Sequence, residues 1–189
     1  MLIFRPEGNI RCSAYSPCGR YFAWASPEKY ALDTRESLAN NDRVTIVDPS
    51  VGHAVSTILA ENVFELSFSP RGTYLITWQR PSKDANGDAV KNLKVWQVVE
   101  TDERIVGQYV QKSQTGWNIQ YTADEKLCAR VVTNEVQFYQ SDNLSKVWNK
   151  LRVEGVADFA LSPGQNQSVA VFIPERKVCG CLYGLWFPG

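Results

Sequence analysis

The residues that could do chemistry are few. The 189-residue chain has one histidine, His53, so any Ser-His-Asp arrangement would have to use it as base, and no Gly-x-Ser-x-Gly elbow accompanies it. There is no Gly-x-x-x-x-Gly-Lys phosphate loop. Asp84-Ala85-Asn86-Gly87-Asp88 is acidic and glycine-punctuated like a calcium loop. Counted from Asp84, however, glycine falls fourth rather than sixth and Val95 stands where a bidentate Glu belongs. The segment reads instead as a hairpin turn in which Asn86 and Gly87 both take positive φ. Cys179-x-Cys181 is half of a thiolate metal site without its second pair. Asp102/Glu103 and Asp124/Glu125 are sequence neighbours, so in a strand their carboxylates would point to opposite faces. These patterns lead to the expectation of no catalytic residue, no metal site, no cofactor and no enzyme activity.

Cations and aromatics in loops are the remaining chemistry. Lys29, Arg35 and Arg43 fall in or beside one long loop, 26–42, and Arg80, Lys83 and Lys91 in another, 80–92. Long loops in compact folds are disproportionately functional. Lys112 and Trp117 flank a third connection, where a cation beside an indole could meet phosphate and base. These eight residues are the candidate contacts for RNA or a protein partner. A solvated loop is the plain alternative for the cations, and core packing the plain alternative for Trp117.

The elements that must position them repeat. Tyr15-Ser16-Pro17-Cys18-Gly19, Phe68-Ser69-Pro70-Arg71-Gly72, Tyr121-Thr122-Ala123-Asp124-Glu125 and Leu161-Ser162-Pro163-Gly164 align, with Tyr15, Phe68, Tyr121 and Leu161 separated by 53, 53 and 40 residues. In this turn Pro fixes φ near −65° and Gly accepts positive φ, which reverses one strand into the next. Alternation marks the first strands as Phe64/Leu66/Phe68, Trp117/Ile119/Tyr121 and Ala157/Phe159/Leu161. Third strands are expected at 44–48, 93–98 and 136–139, and fourth strands at 54–59, 106–110 and 146–149. Trp24, Trp78, Trp96 and Trp148 are expected to pack blade against blade. Periods of this length suit four-stranded units. The fold expected is all-β, an incomplete WD-repeat-type β-propeller of about three and a half four-stranded antiparallel blades. Blade boundaries are expected near 8–60, 61–112, 113–153 and 154–177 (incomplete), followed by an atypical tail, 178–189.

Composition excludes other classes. Lys+Arg and Asp+Glu number 20 each, so no global field draws the protein to nucleic acid or anionic membrane. No apolar run approaches ~20 residues, and Met1–Pro6 has no signal-peptide core. The five cysteines, an odd number without framework spacing, read as reduced thiols. A cytoplasmic protein without membrane attachment is expected.

Phe68-Ser69-Pro70-Arg71-Gly72-Thr73-Tyr74-Leu75 followed by Lys94-Val95-Trp96-Gln97-Val98 resembles a WD repeat, with Gln97 where Asp is usual. Leu75–Gln79, Asn92–Trp96, Tyr109–Lys112, Trp117, Asp124–Arg130, Asn134–Phe138 and Asp158–Gly164, in that order and spacing, resemble the eukaryotic translation initiation factor 2A family over roughly residues 8–177. The resemblance implies an intact protein that directs initiator methionyl-tRNA to the small (40S) ribosomal subunit, codon-dependently and without GTP. Its implied partners are that subunit, initiator tRNA, mRNA and other initiation factors, with this part serving as a docking platform. Family members are much longer, and the ending after Lys177 lacks the charged continuation expected of them, so the chain reads as a shortened form. Its terminal blades would then expose apolar faces, and the fragment is expected to self-associate. The alternatives are a generic WD-repeat scaffold, the propeller subunit b of initiation factor three, or a propeller hydrolase.

Overall fold

The computed structural model describes residues 9–26, 42–98, 104–114, 116–163 and 168–174, with the backbone of Cys181–Gly184. All regular structure among these residues is β. The first blade is formed by β1 (Cys12–Tyr15), β2 (Phe22–Ser26), β3 (Arg43–Asp48) and β4 (His53–Leu59). The second is β5 (Val63–Phe68), β6 (Tyr74–Gln79), β7 (Leu93–Gln97) and β8 (Arg104–Tyr109). The third is β9 (Gln120–Tyr121), β10 (Leu127–Val132), β11 (Glu135–Gln140) and β12 (Asn149–Arg152), and the fourth is β13 (Asp158–Leu161), β14 (Ser168–Phe172) and β15 (Cys181–Gly184). Each sheet is antiparallel, with strands neighbouring in sequence order. β1 packs on β5 and β9 on β13, so the first strand of each blade lies innermost.

The expected turns are built four times over with one hydrogen-bond pattern. Ser16 N donates to Tyr21 O, Ser69 N to Tyr74 O, Thr122 N to Leu127 O and Ser162 N to Ser168 O, at 2.9–3.0 Å. The hydroxyl of each Ser or Thr accepts the returning amide, from Tyr21, Tyr74, Leu127 and Ser168. Three residues after the hydroxyl residue the backbone turns left-handed: Gly19 at φ 74°, Gly72 at φ 78° and Glu125 at φ 58°. The third turn has therefore lost its proline and glycine but not its shape.

The core divides into seams between blades. In the first, Ala14, Ala23, Ala25, Val44, Ile46 and Ile58 meet Val63, Leu66, Phe68, Leu75 and Trp96; in the second, Ile76, Trp78, Leu93 and Val95 meet Ile119, Tyr121, Cys128 and Tyr139. In the third, Ala129, Val136 and Phe138 meet Phe159, Val169 and Val171. Each large side chain buried this way contributes about 1.5–3 kcal/mol, so the seams, rather than the interior of any one sheet, hold the fold. Equivalent residues recur across them. Tyr21 stacks on Phe68 (6.4 Å between centroids) as Tyr74 stacks on Tyr121 (5.2 Å).

Several details depart from expectation. Tyr15, aligned with buried Phe68 and Tyr121, is 62% exposed because its face of blade 1 points away from blade 2, and its ring meets Phe22 instead in a tilted contact. The fourth strand of blade 3 runs 149–152, not 146–149. The preceding connection bends over blade 2, where Leu144 sits against Gly107 at a spot that no side chain could share. Trp24, Trp78 and Trp96 are buried, but Trp148 precedes β12 and is exposed. Cys181–Gly184 lies within the stretch read as a tail, yet pairs with β14 as a third strand, satisfying amides that β14 would otherwise leave open.

Candidate functional site

The connections between second and third strands, and the links from blade to blade, emerge at one end of the sheets. Each link there is tied by a polar residue standing just before the third strand. The Asp42 carboxylate accepts the Asn62 amide (2.8 Å), Asn92 Oδ1 accepts Gln111 N (2.8 Å), and Asn134 Oδ1 accepts Gly155 N (3.1 Å). Asn92 does most: its Nδ2 also donates to Gln79 O (2.7 Å) and Gln111 O (2.9 Å). Nothing in composition separates these residues from ordinary loop polars. The one available signal is their shared place, one residue ahead of the Val-, Leu- or Phe-bearing third strand.

The 80–92 connection is a hairpin standing on this end. Lys83 and Ala89 form an antiparallel bridge, and Val90 N donates to Ser82 O (3.0 Å). The turn belongs to Asp84, whose carboxylate accepts the amides of Asn86 and Asp88 at 2.9 Å. Gly87 alone takes positive φ (87°); Asn86 does not, because the aspartate cap closes the turn in its place. With the Asp84 charge turned onto backbone amides, the cations gain weight. Lys83 and Lys91 are exposed, as is Lys112 beyond the Asn92–Gln111 tie, and none is ion-paired to a described residue. Exposed Arg80 lays its guanidinium 4.2 Å from the Phe64 ring centroid.

Arg11 was not expected here. Its guanidinium lies 5.2 Å from the same Phe64 ring and pairs with Asp42 at 3.1 Å. The cause is a register shift between Val63 and Glu65 that leaves Phe64 as the extra residue of β5, and no pattern in the sequence announces it. Arg43 is different, being half-buried in β3 opposite Ser26 and Leu59. Trp117 is not in a strand: it follows the turn at Gly116 (φ 68°) and packs, half-buried, into the second seam. Lys29 and Arg35 lie outside the described residues, as does Cys179. The structure thus brings Arg80, Lys83, Lys91 and Lys112 to one surface.

Among the described residues, reactive groups are not assembled. His53 is exposed at the start of β4, at the other end of the sheet, and bonds to no described side chain. The Ser50 hydroxyl donates to Asp48 (2.6 Å), and that bond holds the Asp48 carboxyl below its usual range. Burial pushes the Cys12 thiol up to about 11 and that of Cys128 to about 12, so neither is a ready thiolate. Among the described residues no group of metal-ligating side chains gathers, and no helix is long and apolar enough to cross a membrane. The surface can therefore attract phosphate or acidic groups, by charge and by the arginine face over Phe64.

No family model matches the chain. Among curated proteins, the eukaryotic translation initiation factor 2A of Schizosaccharomyces pombe is 49% identical over 168 residues, covering 88% of this chain and 26% of the relative. Its namesake in Dictyostelium discoideum is 30% identical over 78% of the chain and 25% of the relative, and that of Saccharomyces cerevisiae 26% identical over 87% and 26%. The chain thus spans about a quarter of the length of these relatives. A crystal structure of a eukaryotic initiation factor matches 96% of the chain and 42% of its own, with a TM-score of 0.79 and 45% identity. A Kuenenia stuttgartiensis hydrazine synthase, 14% identical with a TM-score of 0.53, shares the fold alone. Its incomplete propeller of four-stranded blades, and near one-half identity over most of its length, place the chain in the eukaryotic translation initiation factor 2A family.

Proposed function

We propose that this chain is the docking part of a translation initiation factor, working in the cytoplasm as a rigid binding surface without bond-making chemistry. The intact factor, on this reading, directs initiator methionyl-tRNA to the small ribosomal subunit in a codon-dependent, GTP-independent manner. The blades here supply the grip on ribosomal RNA or a neighbouring factor. The observation that carries the reading is the gathering of Lys83, Lys91 and Lys112, exposed and without carboxylate partners among the described residues, around the braced 80–92 hairpin. Unpaired cations on a stiff support bind phosphate at little ordering cost.

The test is co-sedimentation with purified small ribosomal subunits, using the chain and a Lys83→Glu/Lys91→Glu/Lys112→Glu variant. The unaltered chain should travel with the subunits at low salt and leave them as salt rises, and the variant should remain at the top of the gradient. Equal co-sedimentation of the two would refute the reading. Binding that depends on the subunits of initiation factor three would favour a scaffold within that complex instead.

A further inference from the structure

Two guanidiniums lie against the Phe64 ring, and among the described residues only one of them has a carboxylate. Arg11 is paired with Asp42 at 3.1 Å, and the same Asp42 oxygen accepts the Asn62 amide, so that carboxylate is already occupied. Arg80, closer to the ring at 4.2 Å, is joined to no described residue by an ion pair or a hydrogen bond. Neither acid near Phe64 in sequence pairs with it: Glu65 accepts Gln114 Nε2, and exposed Glu61 makes no ion pair among the described residues. The Arg80 backbone is held as well. On one side Gln79 N donates to Asn92 O at 2.9 Å, and on the other Pro81 confines its predecessor to extended conformations. An exposed arginine ordinarily gives up side-chain freedom when it grips a ligand. Here the ring and the braced backbone have already removed part of that freedom, while the donors stay unused.

We propose that Arg80 is a preformed fork for a phosphate of an RNA strand, with Phe64 as the positioning residue that holds it without touching the ligand. The proposal rests on the docking role of this face and names its partner as RNA. A planar guanidinium offers two parallel N–H donors to one phosphate, which an ammonium cannot. Lys83, Lys91 and Lys112, exposed on the same surface, supply charge for neighbouring phosphates. The hairpin's chemistry favours RNA over a protein. From Arg80 to Asn92 no large apolar side chain is exposed, whereas a protein partner is gripped through an apolar core and a nucleic acid through a polar, positive surface. A cover for the Phe64 ring would need the arginine's stem and not its free donors.

The experiment follows a fluorescein-labelled oligouridylate by anisotropy as the full chain is added, at several salt concentrations. Arg80→Met, which keeps the ring covered, should unfold near the unaltered temperature. It should nevertheless bind at least about tenfold more weakly, with the salt slope reduced by about 0.7. Arg80→Lys should keep the slope and still bind more weakly than the unaltered chain. Phe64→Leu should weaken binding about 2- to 5-fold. In the Arg80→Met background it should add nothing, a coupling that general loss of folding would not produce. Equal affinity of the unaltered and Arg80→Met chains would overturn the fork, and so would an additive effect of Phe64→Leu. Displacement by polyglutamate as readily as by unlabelled oligouridylate would overturn the choice of RNA and mark an acidic protein as the partner. Failure of the unaltered chain to bind the oligonucleotide at low salt would overturn it too, while co-sedimentation with ribosomal subunits would then leave the docking role standing.

Discussion

Gly19 and Gly72 occupy one position in successive turns, at φ 74° and φ 78°, yet they meet different surroundings. A Cβ at Gly19 would find nothing within 4 Å, whereas one at Gly72 would fall 2.9 Å from Tyr21 Cδ2 and 3.3 Å from Ser16 Cβ, both in the neighbouring blade. The pair therefore separates backbone strain from seam packing. An alanine forced left-handed costs about 1–2 kcal/mol, partly offset by about 0.4–1 kcal/mol through restriction of the unfolded chain. Gly19→Ala should accordingly cost roughly 1 kcal/mol or less. Gly72→Ala carries the same strain plus overpacking of about 1–3 kcal/mol, since the Tyr21 ring is backed by Phe68 and cannot swing away. Equilibrium urea unfolding followed by tryptophan fluorescence reads the difference. At a slope near 2 kcal/mol/M it is about 0.5–1.5 M in midpoint. Removing the ring with Tyr21→Ala should narrow the gap, as expected for residues in contact. Equal midpoints for the two glycine variants would show that the turns do not stack between blades, and the seam argument would fall with them.

Two further predictions concern polar ties. Asn92→Ala removes three hydrogen bonds and strands the Gln111 amide, so it should cost about 2–4 kcal/mol in thermal unfolding, with Asn92→Asp, which keeps the acceptor, intermediate. The Asp124 carboxyl is lowered below 3.8, first by the Thr122 hydroxyl bond and then by the Lys126 amide. Its contribution is therefore complete above that value and disappears as pH falls through the lower, folded value. Asp124→Asn should flatten the acid limb of a stability–pH curve below about pH 4, and an unchanged limb would assign the acid loss elsewhere.

Strand order and phase were legible wherever one residue in two is apolar and a Ser-Pro-x-Gly turn follows. The third turn was legible only through spacing, because Thr122 and Glu125 reproduce the hydroxyl cap and the left-handed corner with other residue types. β12 was misplaced because Lys146-Val147-Trp148 alternates as a strand would, whereas Leu144 spends those residues crossing to blade 2. Of the candidate contacts, the hairpin lysines stand where long-loop reasoning put them. Arg11 was missed because only a bulge brings it to Phe64, and bulges leave no periodic trace. Trp117 was read as starting a strand because Ile119 and Tyr121 continue its alternation, but Gly116 turns the chain before β9 begins.

The ties at Asp42, Asn92 and Asn134 bear on how such a molecule comes apart. Each clasps the start of a third strand to the chain just after the fourth, so the two outer strands of a blade form a buckled belt. Tension on the chain beyond a blade meets that buckle before it meets the sheet. Under pulling or threading into a protease, the protein should yield in steps, one buckle at a time, with a pause of a blade's length between releases.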